Sequence, residues 1–223
     1  QKILTHFPKL PVYPITSINE YFGRPMRPYL QKREDLTLYI GKKYGQLVKQ
    51  APPAYGTHSD HHYYFIHAYN CIYECQYCYL QGHFNSPDIV LFINHEEIGD
   101  EIKSIAQRSP CSWFHAGEFS DSLALSHLSG EIPFYFHLFS TLPDTYLELR
   151  TKSVNIAEIL KQAPLKNIII SFSLSPTSVV KEVEQKTPSL RGRLNAIKKL
   201  QEQGHLIGIH FDPVIYHPHL VDQ

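Results

Sequence analysis

The chain has 223 residues, of which 43% are hydrophobic, enough for one well-buried domain rather than several. Its 21 basic residues balance its 21 acidic ones, and this formal net charge of zero excludes a global electrostatic attraction to nucleic acid or to a membrane. No apolar run approaches membrane-spanning length, and the first residues lack the layout of a signal peptide. Three of the four cysteines lie close together, which suits a reducing cytosol, so we expect a cytoplasmic protein with no membrane partner.

The first 60 residues differ in composition from the rest. They are rich in prolines, which break long helices, and predict an irregular N-terminal extension (1–60) packed on the core, with one short strand at 36–40. Residues 61–223 are expected to form that core.

From residue 61 onward, short apolar runs alternate with helical patterns. Asn94 followed by Glu97 predicts a helix N-terminus, and Thr187 with Pro188 predicts another, for a helix that Gly204 closes. Strands are predicted at 63–68, 89–93, 112–115, 146–149, 168–173 and 206–211, and further helices at 122–127, 132–140 and 155–162. This alternation favours an α/β fold of parallel βαβ units, with about five core strands forming a partial rather than a closed barrel.

The segment 70–80 holds Cys71, Cys75 and Cys78 in the spacing C-x3-C-x2-C, in a loop after a predicted strand. Three thiolates this close can wrap one metal centre. A [4Fe–4S] cluster with one iron open to a small molecule is favoured. A redox disulfide between two of these cysteines would leave the third one without a role. The fourth cysteine of the chain, Cys111, is predicted to be a small apolar strand residue. Structural zinc needs a fourth protein ligand, for which the candidates are His58, His61, His62, His67 and His83.

The cysteine loop, in which Tyr77 precedes the last cysteine, resembles the signature of the radical S-adenosylmethionine (SAM) superfamily. That resemblance implies a partial (β/α)6 barrel in which the open iron binds the amino and carboxylate groups of SAM. It also implies an electron donor, such as a flavodoxin or ferredoxin. The electron cleaves SAM to methionine and a 5′-deoxyadenosyl radical, which abstracts hydrogen from the substrate.

Within this superfamily, residues 77–81 and the apolar run at 89–94 are similar to the start of spore photoproduct lyase and its DNA-repair relatives. The resemblance spans approximately 63 to 215 and implies a nucleic-acid lesion, in DNA or RNA, as substrate. The zero net charge weakens that implication, since duplex binding relies on neutralising phosphates. A radical SAM enzyme acting on a small molecule or protein, and a non-enzymatic zinc-binding module, remain alternatives.

The matching segments follow successive predicted strands, and sites in α/β folds form at the carboxyl ends of parallel strands. The resemblance implies that a carboxylate there accepts hydrogen bonds from the ribose hydroxyls or ammonium of SAM, and that Lys152 pairs with its carboxylate. The tyrosines beside the cluster are expected to shield it and to stack on adenine. The residues expected to bind SAM are Tyr77, Gly117, Ser120, Asp121, Lys152, Ser173 and Asp212.

The sequence departs from the lyase at one position. Where the lyase has the cysteine that donates a hydrogen atom, this chain has Glu118, and a carboxylate cannot replace a thiol in that role. Tyr79 and Glu118 are therefore the candidate catalytic residues, with Tyr79 closing the radical cycle. The chain ends where the family usually continues, so we expect the barrel to be truncated at its C-terminus. Arg191 and Arg193, preceded by Glu182 and Glu184, are expected to form structural ion pairs.

Overall fold

The structure is a computed structural model, and it describes residues 2–22, 35–52 and 61–216. The strands are β1 (Leu38–Gly41), β2 (Val48–Gln50), β3 (His62–Phe65), β4 (Ala68–Tyr69), β5 (Glu74–Cys75), β6 (Ile89–Phe92), β7 (Trp113–Ala116), β8 (Tyr146–Thr151), β9 (Ile168–Ser173), β10 (Glu184–Gln185) and β11 (Leu206–His210). The α-helices are α1 (His95–Arg108), α2 (Ser126–Ser129), α3 (Glu131–Ser140), α4 (Thr177–Val183) and α5 (Leu190–Glu202). In the described ranges, no helix has both the length and the apolar character needed to span a bilayer.

The main sheet has six strands in the order β11-β9-β8-β7-β3-β2. Neighbours from β3 to β11 pair in parallel, and β2 joins β3 antiparallel at the edge. The α/β partial barrel with five parallel core strands is therefore confirmed. The division between residues 1–60 and 61–223 stays a prediction; in the structure, β2 lies in the first segment and pairs with β3 of the second.

One face of the sheet is apolar because alternate strand residues point the same way. Phe114, Leu147 and Ile170 are fully buried there, in one core with residues of α1, α3 and α5 such as Ile102 and Leu200. The opposite face, which we call the inner face, carries the other alternate residues of the paired strands. These are Lys49, His62, Tyr64, Trp113, His115, Tyr146, Glu148, Arg150, Ile169, Ser171, Ser173, Leu206, Gly208 and His210.

The predicted strand at 89–93 is found as β6, but it lies outside the main sheet. It forms a second sheet in the order β1-β6-β4, parallel to β1 and antiparallel to β4. All four residues of β6 are buried. Ile3 packs on one side of this sheet and Phe22 on the other, so the described part of the N-terminal segment covers it.

Two predicted helices are largely absent. The region 122–127 is a turn that becomes helical only at α2, and the Asp121 carboxylate caps the start of this turn by accepting hydrogen bonds from the Leu123 and Ala124 N–H groups. The region 155–162 contains only a 3₁₀ turn at Ile159–Lys161. Asn155 does not cap a helix there; its side-chain amide instead donates to the Leu123 carbonyl.

Two local predictions are also wrong. Helix α5 is capped by Ser189, whose hydroxyl accepts from the Gly192 N–H, while Thr187 donates to the Glu184 carbonyl. Cys111 is exposed in a turn with φ 60° before β7, and is not part of the strand.

The predicted helix N-terminus at Asn94 is confirmed, because α1 begins at His95 with Asn94 as its N-cap residue. The Asn94 side chain makes no cap bond; its amide donates to the Lys43 carbonyl and to Glu97.

Glu131 at the start of α3 makes the stability of the fold depend on pH. Burial raises its pKa from the ordinary 4.5 to about 7. The folded chain therefore keeps this proton at pH values where the unfolded chain has lost it. The stability that the residue contributes is complete below about pH 4.5 and falls by about 3 kcal/mol as the pH rises through 7.

We therefore expect Glu131→Gln to have a larger free energy of unfolding than the parent at pH 8 and a similar one at pH 5. Urea unfolding at the two pH values measures both. Glu96→Gln, at an exposed position on α1, is the matched control. Equal pH dependence in the parent and Glu131→Gln would contradict the prediction.

Candidate active site

The cysteine loop leaves the second sheet directly after β4. Asn70, with φ 60°, turns the chain, and its side-chain amide donates to the carbonyls of Ser86 and Asp88. The Cys78 N–H donates to the Cys75 carbonyl at 3.0 Å, and a 3₁₀ helix (Tyr79–Gly82) follows. The Cys78 bond closes a tight turn from Cys75 to Cys78, and Cys71 lies four residues before it. The side chains of the three cysteines share a small apolar cluster with Tyr73, Tyr77, Ala124 and Leu125.

Glu184 connects this loop to helix α5 through a strand pairing and two hydrogen bonds. Cys75 in β5 pairs antiparallel with Glu184 in β10. The Tyr77 hydroxyl donates to Glu184 Oε1 at 2.5 Å, and Arg193 Nη2 on α5 donates to Glu184 Oε2 at 2.5 Å. Both side chains of the Arg193–Glu184 pair are 0% exposed, so the predicted structural ion pair is confirmed for Arg193 and Glu184.

The thiols lie in surroundings that favour their protonated form. Burial raises the pKa of Cys71, and the nearby Asp121 carboxylate raises it further. Burial also raises the pKa of Cys75 to about 11, although the ammonium group of Lys152 opposes the shift. Burial likewise raises the pKa of Tyr77, and its hydrogen bond to Glu184 adds to the shift. Metal binding must therefore displace protons from this loop.

The donor set suits an iron–sulfur cluster, because soft thiolates are the ligands of such clusters. Within the described ranges, no group of three His, Cys, Asp or Glu side chains is arranged to hold a single metal ion. His67 is buried and hydrogen-bonded to the backbone of Asp121, and the His83 ring packs on Phe119. His61 and His62 lie at the start of β3, and His58 is outside the described residues.

Asp121 joins the loop after β7 to the end of β8. Its Oδ1 accepts from the Thr151 hydroxyl at 2.6 Å as well as from the capped turn, and its Oδ2 accepts from the Lys152 N–H at 2.7 Å. The side chain of Lys152 then lies over the ring of Tyr77, with Nζ 5.6 Å from the ring centroid. The structure thus brings three of the predicted SAM-binding residues, Tyr77, Asp121 and Lys152, next to the cysteines.

We expect Asp121→Asn to lower the free energy of unfolding by about 1–3 kcal/mol, because an amide group would face the buried Lys152 N–H or the Thr151 hydroxyl as a second donor. Thermal and urea unfolding measure the change. Asp100→Asn, in an exposed pair with Lys103, is the control and should change stability by less than about 0.5 kcal/mol. Equal effects of the two substitutions would show that Asp121 is not a structural junction.

The two candidate catalytic residues meet at one hydrogen bond. The Tyr79 hydroxyl donates to the Glu118 backbone carbonyl at 2.5 Å, and the side chain of Tyr79 is half exposed. The Glu118 carboxylate lies near Tyr64 and raises that phenol's pKa, after the larger effect of burial. The turn that carries Glu118 requires a glycine at position 117, because Gly117 has φ 91° and a Cβ there would lie 2.5 Å from the Ser122 hydroxyl.

The remaining predicted residues lie at the same edge of the sheet but are less closely joined. Ser120 is buried in the loop after β7. Ser173 ends β9 on the inner face beside His210, its partner in register. Asp212 lies exposed two residues beyond β11. Their assignment to SAM stays a prediction.

A polar network on the inner face was missed by sequence reasoning. Glu148 accepts hydrogen bonds from His115 Nδ1 and His210 Nε2, each at 2.6 Å, and His115 Nε2 lies 3.0 Å from His62 Nδ1. Arg150 Nη2 lies 3.5 Å from the same carboxylate. Burial opposes ionisation of Glu148, but the bonds from the two histidines hold its pKa well below the ordinary value. The signal in the sequence was a polar residue at alternate positions of otherwise apolar strands.

Comparison with known proteins decides the family. The family model described as spore photoproduct lyase matches residues 48–223. The chain belongs to the spore photoproduct lyase family. The resemblance seen in the cysteine loop is therefore confirmed, and with it the radical SAM class to which this family belongs.

Curated relatives in this family are similar over most of the chain. The spore photoproduct lyase of Bacillus subtilis (strain 168) is 27% identical over 207 residues, which are 91% of this chain and 59% of that protein. The enzyme of Clostridium acetobutylicum is 26% identical over 65% of this chain and 44% of its own length. The chain thus spans about half the length of the curated relatives that it matches.

Solved structures of spore photoproduct lyase share the fold. A mutant with bound AdoMet and dinucleoside spore photoproduct superposes with a TM-score of 0.74 at 22% identity, covering 82% of this chain and 53% of that one. A spore photoproduct lyase complexed with dinucleoside spore photoproduct gives the same values. The partial barrel is thus the fold of the family.

Proposed function

We propose that this chain is the radical SAM part of a DNA-repair lyase acting on a lesion of the spore photoproduct type. The observation that carries the proposal is the position of the cysteine loop beside Asp121 and Lys152, at the carboxyl ends of parallel strands, in a chain of this family. Relatives of this fold bind AdoMet and dinucleoside spore photoproduct. We extend both ligands to this chain.

In this proposal, Cys71, Cys75 and Cys78 hold a [4Fe–4S] cluster. When bound, the cluster supplies the electron that cleaves SAM into methionine and a 5′-deoxyadenosyl radical. A flavodoxin or ferredoxin delivers that electron. The grouping of three of the four cysteines within eight residues suits a reducing cytoplasm, where we place the chain in this proposal.

The residues around the loop orient SAM. Lys152 pairs with the carboxylate of SAM. Asp121 fixes the Lys152 backbone and the Tyr77 ring supports its side chain, so the Lys152 ammonium group stays on the side of the cysteines. Tyr77, fixed by Glu184, shields the cluster from water. Gly117, Ser120, Ser173 and Asp212 complete the edge on which the ribose and adenine lie.

In this proposal Tyr79 gives its phenolic hydrogen atom to the substrate radical, and an electron from the flavodoxin or ferredoxin together with a proton restores the phenol. The Tyr79 hydroxyl lies against Glu118, the position at which the lyases carry their donor cysteine. A phenol O–H can give up a hydrogen atom and a carboxylate cannot, so Glu118 positions the phenol through its backbone carbonyl. The replacement of that cysteine also favours a second candidate, a radical SAM reaction on a small molecule, a protein or an RNA.

Anaerobic reconstitution with iron and sulfide tests the proposal. We expect an absorption band near ~400 nm, as for thiolate-bound clusters, and reductive formation of 5′-deoxyadenosine from SAM. Deuterium from labelled spore photoproduct should then appear in 5′-deoxyadenosine. Stoichiometric zinc without SAM cleavage would overturn the enzyme assignment, and SAM cleavage without deuterium transfer would overturn the substrate.

A further inference from the structure

The polar network on the inner face has a buried carboxylate at its centre and partly exposed basic side chains around it. Glu148 is 6% exposed and bonds both His115 and His210 at 2.6 Å. The side chains of Arg150 and His210, by contrast, are 33% and 30% exposed. A carboxylate that orients two imidazoles and a guanidinium on one face holds them ready to contact something that lies on that face.

The charge on this face differs from that of the whole chain. Glu148 is the one carboxylate within the six strands of the main sheet, and the same strands carry Lys49 and Arg150, with Lys152 directly after β8. Because residues of a strand alternate in direction, Glu148 and Arg150 lie on the inner face, and Lys152 follows just after β8 ends at Thr151. Arg150 is the cation that the strands of the sheet hold nearest their carboxyl ends, and its partly exposed guanidinium suits an anionic ligand.

We infer that the inner face binds the phosphodiester group of the nucleic-acid substrate, with Arg150 as the contacting residue and Glu148 as its positioning residue. The inference rests on the proposed function. Lys152 is assigned to the SAM carboxylate, so Arg150, two residues earlier in the chain and partly exposed on the inner face, is placed to meet a second anion. A guanidinium presents a planar fork that matches phosphate oxygens.

His115 and His210 complete the arrangement by fixing Glu148. Each imidazole uses one ring nitrogen for that carboxylate, and His115 bonds His62 through the other. The carboxylate is therefore held from both sides and fixes the position of the Arg150 guanidinium on this face, while the two histidine contacts use part of its charge. This is how a sequence of zero net charge can bind a phosphate without a general basic surface.

The test compares two forms of the spore photoproduct, the dinucleotide with its linking phosphodiester and the dinucleoside without it. For the reconstituted parent chain, we expect KM for the dinucleotide to be about tenfold lower, the value of one charge-assisted contact. In Arg150→Gln this ratio should fall to about one. Arg150→Lys should recover part of it, and Glu148→Gln should give an intermediate ratio.

The ratio within each variant removes differences in folding or in cluster loading between variants. Arg191→Gln, exposed on α5, is the control and should keep the parent ratio. If the parent shows no preference for the dinucleotide, or if Arg150→Gln raises KM for both substrates equally, the inference is wrong.

A failure of the proposed function gives a different result. If the reconstituted chain turns over neither compound, the phosphate site can still be tested by measuring the dissociation constants of the same two compounds in an equilibrium titration. A tighter dissociation constant for the dinucleotide that depends on Arg150 supports the phosphate site, and equal constants overturn it.

Discussion

Replacing Cys78 with alanine is expected to remove the ~400 nm absorption of the reconstituted protein and to lower SAM cleavage at least ~100-fold, since loss of a direct ligand exceeds the 10–100-fold effect typical of outer-shell partners. The Cys78 N–H that donates to Cys75 remains in the variant, so the turn itself should persist. Iron and sulfide content, the absorption spectrum and 5′-deoxyadenosine formation measure the effect.

The control for this variant is Cys111→Ala, at an exposed cysteine in the turn before β7. It should bind the cluster and cleave SAM as the parent does. Cluster absorption and SAM cleavage retained in Cys78→Ala, or lost in Cys111→Ala, would show that the ligand assignment is wrong.

The Arg193→Ala substitution is expected to lower the free energy of unfolding by about 3–5 kcal/mol, because it leaves the Glu184 carboxylate buried without its charge partner. Arg193 also donates to the backbone carbonyls of Ser173 and Pro188, and these lose a donor. Since Glu184 holds Tyr77 and pairs with Cys75, the loss should reach the cysteine loop and reduce cluster retention.

Urea unfolding measures the stability, with Arg191→Ala on the exposed side of the same helix as the control. The double variant Arg193→Met with Glu184→Gln should recover part of the lost stability, because it removes the uncompensated charge. A change below about 1 kcal/mol in Arg193→Ala would contradict the assignment of this pair as the link between the loop and α5.

The parts of the fold that were predicted correctly have strong local signals. Strand β9 matches the prediction at both ends because Ile168, Ile169, Ile170 and Phe172 supply the apolar residues that a strand largely buried on both faces requires. Helix α5 follows from the stripe of Leu190, Ile197 and Leu200. The separation of β6 into a second sheet depends on pairing with β1, about 50 residues earlier in the chain, and no local pattern encodes that choice.

The same distinction holds for the site. The three cysteines were identified because they lie within eight residues, and their spacing alone predicts a metal centre. The network of His62, His115, Glu148 and His210 comes from four strands and depends on the register between them. Sequence reasoning also missed the role of Glu184, whose antiparallel pairing with Cys75 depends on a strand of only two residues.

The packing of the cysteine loop also bears on how the proposed cluster would be inserted. Burial favours the protonated thiols of Cys71 and Cys75, and the cysteine side chains pack in an apolar cluster with Tyr73 and Ala124. Hydrogen bonds from Asn70 and the pairing of Cys75 with β10 also fix the loop, so its shape depends on protein contacts as well. Insertion of the proposed cluster would therefore release thiol protons from this loop.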